Sequence, residues 1–180
     1  ELLAGAPKGP RCAGRVFREL FMSNFISNCT VMVRKACVEA VGLFDERPEF
    51  ISAEDYDLWL RVAERYDVAY VDRVLARYRV RTGSISRNPQ RFFMSERAVV
   101  EKALQDHGAA YPDLLRSADR RIGQLLFDYG YTLLAAGNYP EARKRLGHSL
   151  RLSPRARTGA YWMAACMPGM KTAWHWLKNN

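Results

Sequence analysis

The residues of this chain best suited to chemistry are in Glu54-Asp55-Tyr56-Asp57-Leu58-Trp59-Leu60-Arg61. Leu58, Trp59, Val62 and Tyr66 recur at helical spacing and Ser52 suits an N-cap, so a helix is predicted from about Ala53. Glu54 and Asp55 then stand at its N-terminus, where unpaired backbone N–H groups and the helix dipole stabilise anions. A carboxylate held there stays ionised and points in a fixed direction, as a general base must. Asp55 is the candidate base, with Glu54 beside it. The same residues also spell Ser52-x-x-Asp55, a formal capping box in which Asp55 only accepts from the Ser52 N–H. Spacing alone leaves base and cap both open. Asp55-Tyr56-Asp57 also reads D-x-D, but residues two apart on a helix face different sides. The pair is therefore not read as a metal site.

Arginines form a second group. Between Val74 and Val80 strict alternation places Ala76, Tyr78 and Val80 on one face of a strand and Arg77, Arg79 and Arg81 on the other. That cationic face is either simply solvated or turned toward phosphate. Four cysteines, Cys12, Cys29, Cys37 and Cys166, show neither C-x-x-C pairing nor histidines at zinc-ligand spacing. They read as free thiols of a reducing compartment. His107, His148 and His175 sit in unrelated helical contexts and read as structural, and no Ser-His-Asp set or Gly-rich phosphate loop stands out.

The elements that would position these groups follow from pattern. Val16 to Asn24 has helical spacing, Cys29-Thr30-Val31-Met32-Val33 reads as a buried strand, and Ala36 to Val41 makes a short helix ended by Gly42. After the Asp55 helix, strands are predicted at Val68 to Val71 and Val74 to Val80. From Pro89, a good first helical residue, everything reads as helix: to about Asp106, then Asp113 to Ala136, Pro140 to Leu152 and Thr158 to Ala165. The expected organisation is an α/β part over residues 1–87 and an α-helical extension over 88–180.

In order and spacing, Thr30-Val31-Met32-Val33-Arg34, Val41-Gly42-Leu43-Phe44-Asp45-Glu46, the Glu54–Arg61 stretch and Tyr78-Arg79-Val80-Arg81-Thr82-Gly83-Ser84-Ile85-Ser86 resemble the C-terminal half of glycosyltransferase family 2. The resemblance covers about Gly14 to Arg87. It implies a partial GT-A-type, Rossmann-like fragment and an inverting transfer of sugar from a nucleotide-sugar donor to a glycan or lipid-linked acceptor. It casts Asp55, next to Glu54, as the base that deprotonates the acceptor. It places Gly42, Phe44, Asp45 and Trp59 at the acceptor and Arg79 and Arg81 near the donor diphosphate. Many members carry a histidine where this chain has Arg81, which can meet phosphate but cannot ligate metal. The family's divalent metal, Mn or Mg, is held mainly by a D-x-D motif in the preceding half. No such motif stands here in context, so the chain is read as a fragment that lacks donor and metal binding and is inactive alone. Glu1, which is not a methionine, and the Gly- and Pro-rich opening suit that reading.

Residues 124–154 resemble one tetratricopeptide repeat, with Gly130 and Ala142 where two helices approach, Leu146 between them, Gly137-Asn138 as the turn and Pro154 as the end. The unit is either a hairpin packed on the rest of the chain or a docking surface for a partner protein. Beyond Glu141 there is no acidic residue, and basic side chains are interleaved with Trp162, Trp174 and Trp176. Such a tail suits an anionic membrane surface, or else a solvated basic face. A net charge of +9 attracts phosphates of any origin, yet no nucleic-acid module is recognisable. No apolar run reaches the roughly 20 residues of a membrane span. The expected location is the cytoplasm, with peripheral attachment at the inner face of the cell membrane. The competing reading is a non-catalytic helical interaction module, with an apolar groove along residues 124–165 and Asp55 as a cap.

Overall fold

In α3 (Glu54–Arg65) Tyr56, Leu58, Trp59, Leu60, Val62 and Ala63 are all buried. Apolar residues therefore surround most of the helix, the pattern of an element packed on several sides. Its neighbours are α1 (Phe17–Met22), α2 (Lys35–Ala40) and α4 (Pro89–His107). The Tyr56 hydroxyl donates to the Leu20 and Phe21 carbonyls at 3.0 and 3.1 Å, fixing α3 to the last turn of α1. At the other end of α3, the Arg15 guanidinium donates to the carbonyls of Glu64 (2.8 Å) and Arg65 (3.2 Å), two of the acceptors that a helix end leaves unpaired. The start of α4 is set by Asn88, whose side chain accepts from the Arg91 N–H at 3.0 Å, with Pro89 in the first turn.

The computed structural model describes residues 2–3, 13–79 and 88–167. The chain forms two compact units, Glu1–Ser117 and Ala118–Asn180, and the division falls inside α5 (Pro112–Ala135). The expected boundary after residue 87 lies at the edge of a segment outside the described residues. In the second unit, α5 and α6 (Tyr139–Leu152) are joined by a turn in which Gly137 takes φ +79°, a conformation suited to glycine. A Cβ on Gly130 would come within 2.8 Å of Leu146 Cγ, and one on Gly123 within 2.8 Å of Ser153 Cβ. These two close approaches run in opposite directions along the chain, so the helices are antiparallel. Phe127, Leu134, Ala142, Leu146, Tyr161 and Ala165 form the core, the last two contributed by α7 (Ala156–Cys166).

The α/β expectation is overturned. Among the described residues the fold is helical, and strand pairing is limited to β1 (Leu2–Leu3) with β2 (Tyr78–Arg79), antiparallel, plus an isolated bridge between Gly14 and Val68. No Rossmann-like fragment is present there. Cys29–Val33, expected as a buried strand, begins in a single 3-10 turn (Asn28–Thr30) and continues as extended chain with Met32 99% exposed. Val71, Val74 and Leu75 are likewise exposed and unpaired into a sheet. A β-branched run becomes a strand only where another strand supplies its hydrogen bonds and a covered face. Cys29–Val33 has neither among the described residues, and the two later runs pair only at Val68 and at Tyr78–Arg79.

Candidate functional site

Ser52 is not the N-cap of α3. It has φ +96°, the one non-glycine residue with positive φ among those described, and the cap position falls to Ala53 with no side-chain bond. The Ser52 N–H is taken by Glu54 Oε2 at 2.7 Å, while its own Oγ is buried without a partner. The capping box is therefore not formed. Asp55 instead accepts from the adjacent Tyr56 N–H at 2.8 Å and, among the described residues, makes no salt bridge. Its carboxylate is half-buried. Burial pushes its pKa above the ordinary aspartate value, the Tyr56 amide opposes that shift, and the Glu54 charge adds to it. Glu54 thus serves the backbone and leaves Asp55 a carboxylate with raised proton affinity.

Two other aspartates close by are fully engaged. Asp57, 3% exposed, receives Arg61 (2.8 and 2.9 Å) on one oxygen and Lys102 (2.8 Å) on the other. Lys102 also reaches Asp45 at 3.0 Å, and Arg47 grips Asp45 at 2.8 Å. The Arg47 bond, followed by Lys102, holds the Asp45 carboxyl far below the usual carboxylate range. Arg61 donates further to the carbonyls of Val41 (2.7 Å) and Leu43 (2.8 Å). The loop that contains Gly42, Phe44 and Asp45 is thereby latched onto α3 and α4. Gly42 takes φ +79° and Phe44 stands 46% exposed at its tip.

Of the residues singled out from sequence, Glu54, Asp55 and Trp59 share α3. Trp59 lies one turn beyond Asp55 and so on the same side, buried with Nε1 unpartnered. Asp45 is committed to cations, so its place is in holding the loop and not in the open. Of Arg79 only the backbone is described, in β2; Arg81 lies outside the described residues. Sequence reasoning missed Asn24, Ser95, Glu96 and Lys102. Asn24 donates to Glu96 at 3.2 Å and leaves Oδ1 buried without a partner, and Ser95 donates to the Ile51 carbonyl at 2.7 Å. Neighbouring residues of α4 therefore hold Asn24 and the loop that carries Ser52. Only the Asp57–Arg61 pair, four apart on one helix, had a local signal.

No family model, curated protein or solved structure matches this chain. Its chemistry is read from its own residues. Among those described, no group of three or more His, Cys, Asp or Glu could hold a metal ion. Asp57 is occupied by Arg61 and Lys102, so Asp55 and Asp57 do not form a metal pair. No chemical step is assigned here through the expected Mn or Mg, for which no ligand was expected among these residues. Cys29, Cys37 and Cys166 are free thiols. No described helix is long and apolar enough to cross a membrane.

A concavity of about 170 Å³ in the first unit is lined by Val41, Arg61, Glu64, Arg65, Asp106 and His107. It lies further along α3 than Asp55. Three buried polar atoms of the first unit lack partners, Ser52 Oγ, Asn24 Oδ1 and Trp59 Nε1. Unsatisfied groups of this kind are costly and uncommon in folded proteins.

Proposed function

We propose that this chain is the acceptor-side part of an inverting glycosyltransferase, in which Asp55 is the general base. One observation carries the reading: of the three aspartates Asp45, Asp55 and Asp57, only Asp55 has no cation on it, and burial raises its proton affinity. A base must accept a proton in the reaction, and a carboxylate neutralised by Arg or Lys is poorly placed to do so.

In the proposed reaction the acceptor hydroxyl oxygen attacks the anomeric carbon of a nucleotide-sugar and its proton passes to Asp55. The new glycosidic C–O bond forms as the bond to the nucleoside diphosphate breaks, and the diphosphate leaves with the electron pair. Asp55 is then neutral and returns its proton to water. Glu54 and the Ser52 backbone hold the first turn of α3 in place. Arg79 and Arg81 meet the charge that develops on the diphosphate. In this reading the protein works in the cytoplasm, at the inner face of the membrane that delivers lipid-linked acceptors.

The test is sugar-nucleotide turnover by the full-length protein, with Mn²⁺ or Mg²⁺ present, for wild type and Asp55→Asn. Loss of a general base lowers the rate by about 10²–10⁴-fold, with the melting temperature held or raised. An unchanged rate with a lowered melting temperature would show that Asp55 only supports α3.

A further inference from the structure

The second unit contains a cavity of about 380 Å³ between α6 and α7, lined by Arg143, Lys144, Gly147, Leu150, Arg151 and Trp162. That volume is at the small end of the range for small-ligand sites. On a helix of 3.6 residues per turn the five α6 positions fall within one stripe. The cavity therefore has a wall carrying three cations. The facing wall is the indole of Trp162, 37% exposed. Gly147 makes the close approach possible: a Cβ there would stand 3.1 Å from Trp162 Nε1.

Three other arginines of the unit are engaged by neighbouring side chains. Arg145 pairs with Glu141 at 2.5 Å, Arg155 bonds Gln124, and Arg157 covers the Phe127 and Tyr161 rings at 5.3 and 5.7 Å. Arg143, Lys144 and Arg151 make no ion pair among the described residues, and no acidic side chain lines the cavity. Three like charges held together without a counter-charge repel one another and are relieved by an anion. Arginine forks match the geometry of phosphate oxygens, and an exposed indole covers the apolar body of a ligand while donating its N–H.

We infer that this cavity is a binding site for a phosphate-bearing group, its oxygens held by Arg143, Lys144 and Arg151 and its organic part lying on Trp162 and Leu150. The site belongs to the second unit alone and does not depend on the role of Asp55. The phosphate comes either from an anionic lipid headgroup or from a soluble phosphate ester, and two probes tell them apart. The full chain is titrated with inorganic pyrophosphate, followed by Trp fluorescence, and separately floated with phosphatidylcholine vesicles with and without phosphatidylglycerol. At least one anionic probe binds, and Arg143→Gln/Lys144→Gln weakens it about tenfold or more, as the loss of charge-assisted bonds requires. Gly147→Ala, which keeps every charge but crowds the indole, weakens it severalfold. The control Arg116→Gln/Arg120→Gln removes two exposed charges from α5 and leaves binding within about twofold. Vesicle binding alone names a lipid headgroup as the source, and pyrophosphate binding a soluble ester. Binding of neither probe overturns the proposal. So does an equal loss in the α5 control, which would show attraction by net charge and no site. Far-ultraviolet circular dichroism of each variant separates lost binding from lost helix.

Discussion

At the residue scale, the proton affinity of Asp55 links its surroundings to a measurable pH dependence. Burial raises its folded-state pKa above the ordinary value of about 3.9. Between those two values the folded chain binds more protons than the unfolded one, so stability falls as pH rises through that window. Asp55→Asn removes the ionisation. Its melting temperature should gain on wild type as pH rises from about 4, then keep a constant lead, and thermal melts across pH check this. A carboxylate stabilised by its surroundings would give the opposite trend. Ser52 supports a second expectation. At φ +96° a side chain is strained by roughly 1–3 kcal/mol, and glycine returns about 0.5–1 kcal/mol of that as backbone entropy. Because Ser52 Oγ also lacks a partner, Ser52→Gly should stabilise the chain by about 1 kcal/mol in chemical denaturation.

At the element scale, the Asp45–Lys102–Asp57–Arg61 network attaches the loop before α3 to two helices. Removing one member strands its partners. Asp57→Ala leaves Arg61 and Lys102 without their buried counter-charge and should cost about 3–5 kcal/mol, read by denaturant midpoint. Pairing Asp57→Asn with Lys102→Met should cost less, because one of the two leftover charges is removed as well. The α5–α6 hairpin rests on a different fit. Gly130→Ala puts a methyl within 2.8 Å of Leu146 Cγ, and overpacking of that kind costs about 1–3 kcal/mol against a gain in helix propensity near 1. A net loss of stability is expected. Leu146→Ala should lower the penalty of Gly130→Ala, which a double-mutant cycle measures.

For the whole molecule the distribution of charge matters more than its total. Residues 118–180 hold ten Lys and Arg against three Asp and Glu, so +7 of the chain's +9 belongs to the second unit. Self-repulsion of this size destabilises a compact state, and salt screens it. Raising ionic strength from about 0.01 to 0.15 M shortens the screening length from about 30 to 8 Å. The melting temperature should then rise by about 2–4 °C, the shift that roughly 1 kcal/mol makes in a chain of this size. A fall would show that surface ion pairs such as Arg18–Asp113 and Arg97–Glu101 outweigh the repulsion.

The sequence by itself determined the helices. The spacing around Leu58, Trp59 and Val62, the Pro89 start and the Gly137-Asn138 turn are local, because backbone bonding in a helix spans only four residues. It also determined the excess of positive charge in the second half. It misjudged the strands at 29–33 and 68–71 and most of the one at 74–80, where Tyr78–Arg79 alone pairs among the described residues, because strand pairing depends on partners that a linear pattern does not show. Beyond the Asp57–Arg61 pair, the tertiary structure decided which carboxylates are neutralised. Lys102 lies 45 residues from Asp57, and no spacing rule joins them. It also replaced the Ser52–Asp55 capping box with a bond from the Ser52 N–H to Glu54, at a residue whose φ is +96°. It alone brought Trp162 against Gly147, which turned a basic stretch of α6 into the wall of a cavity.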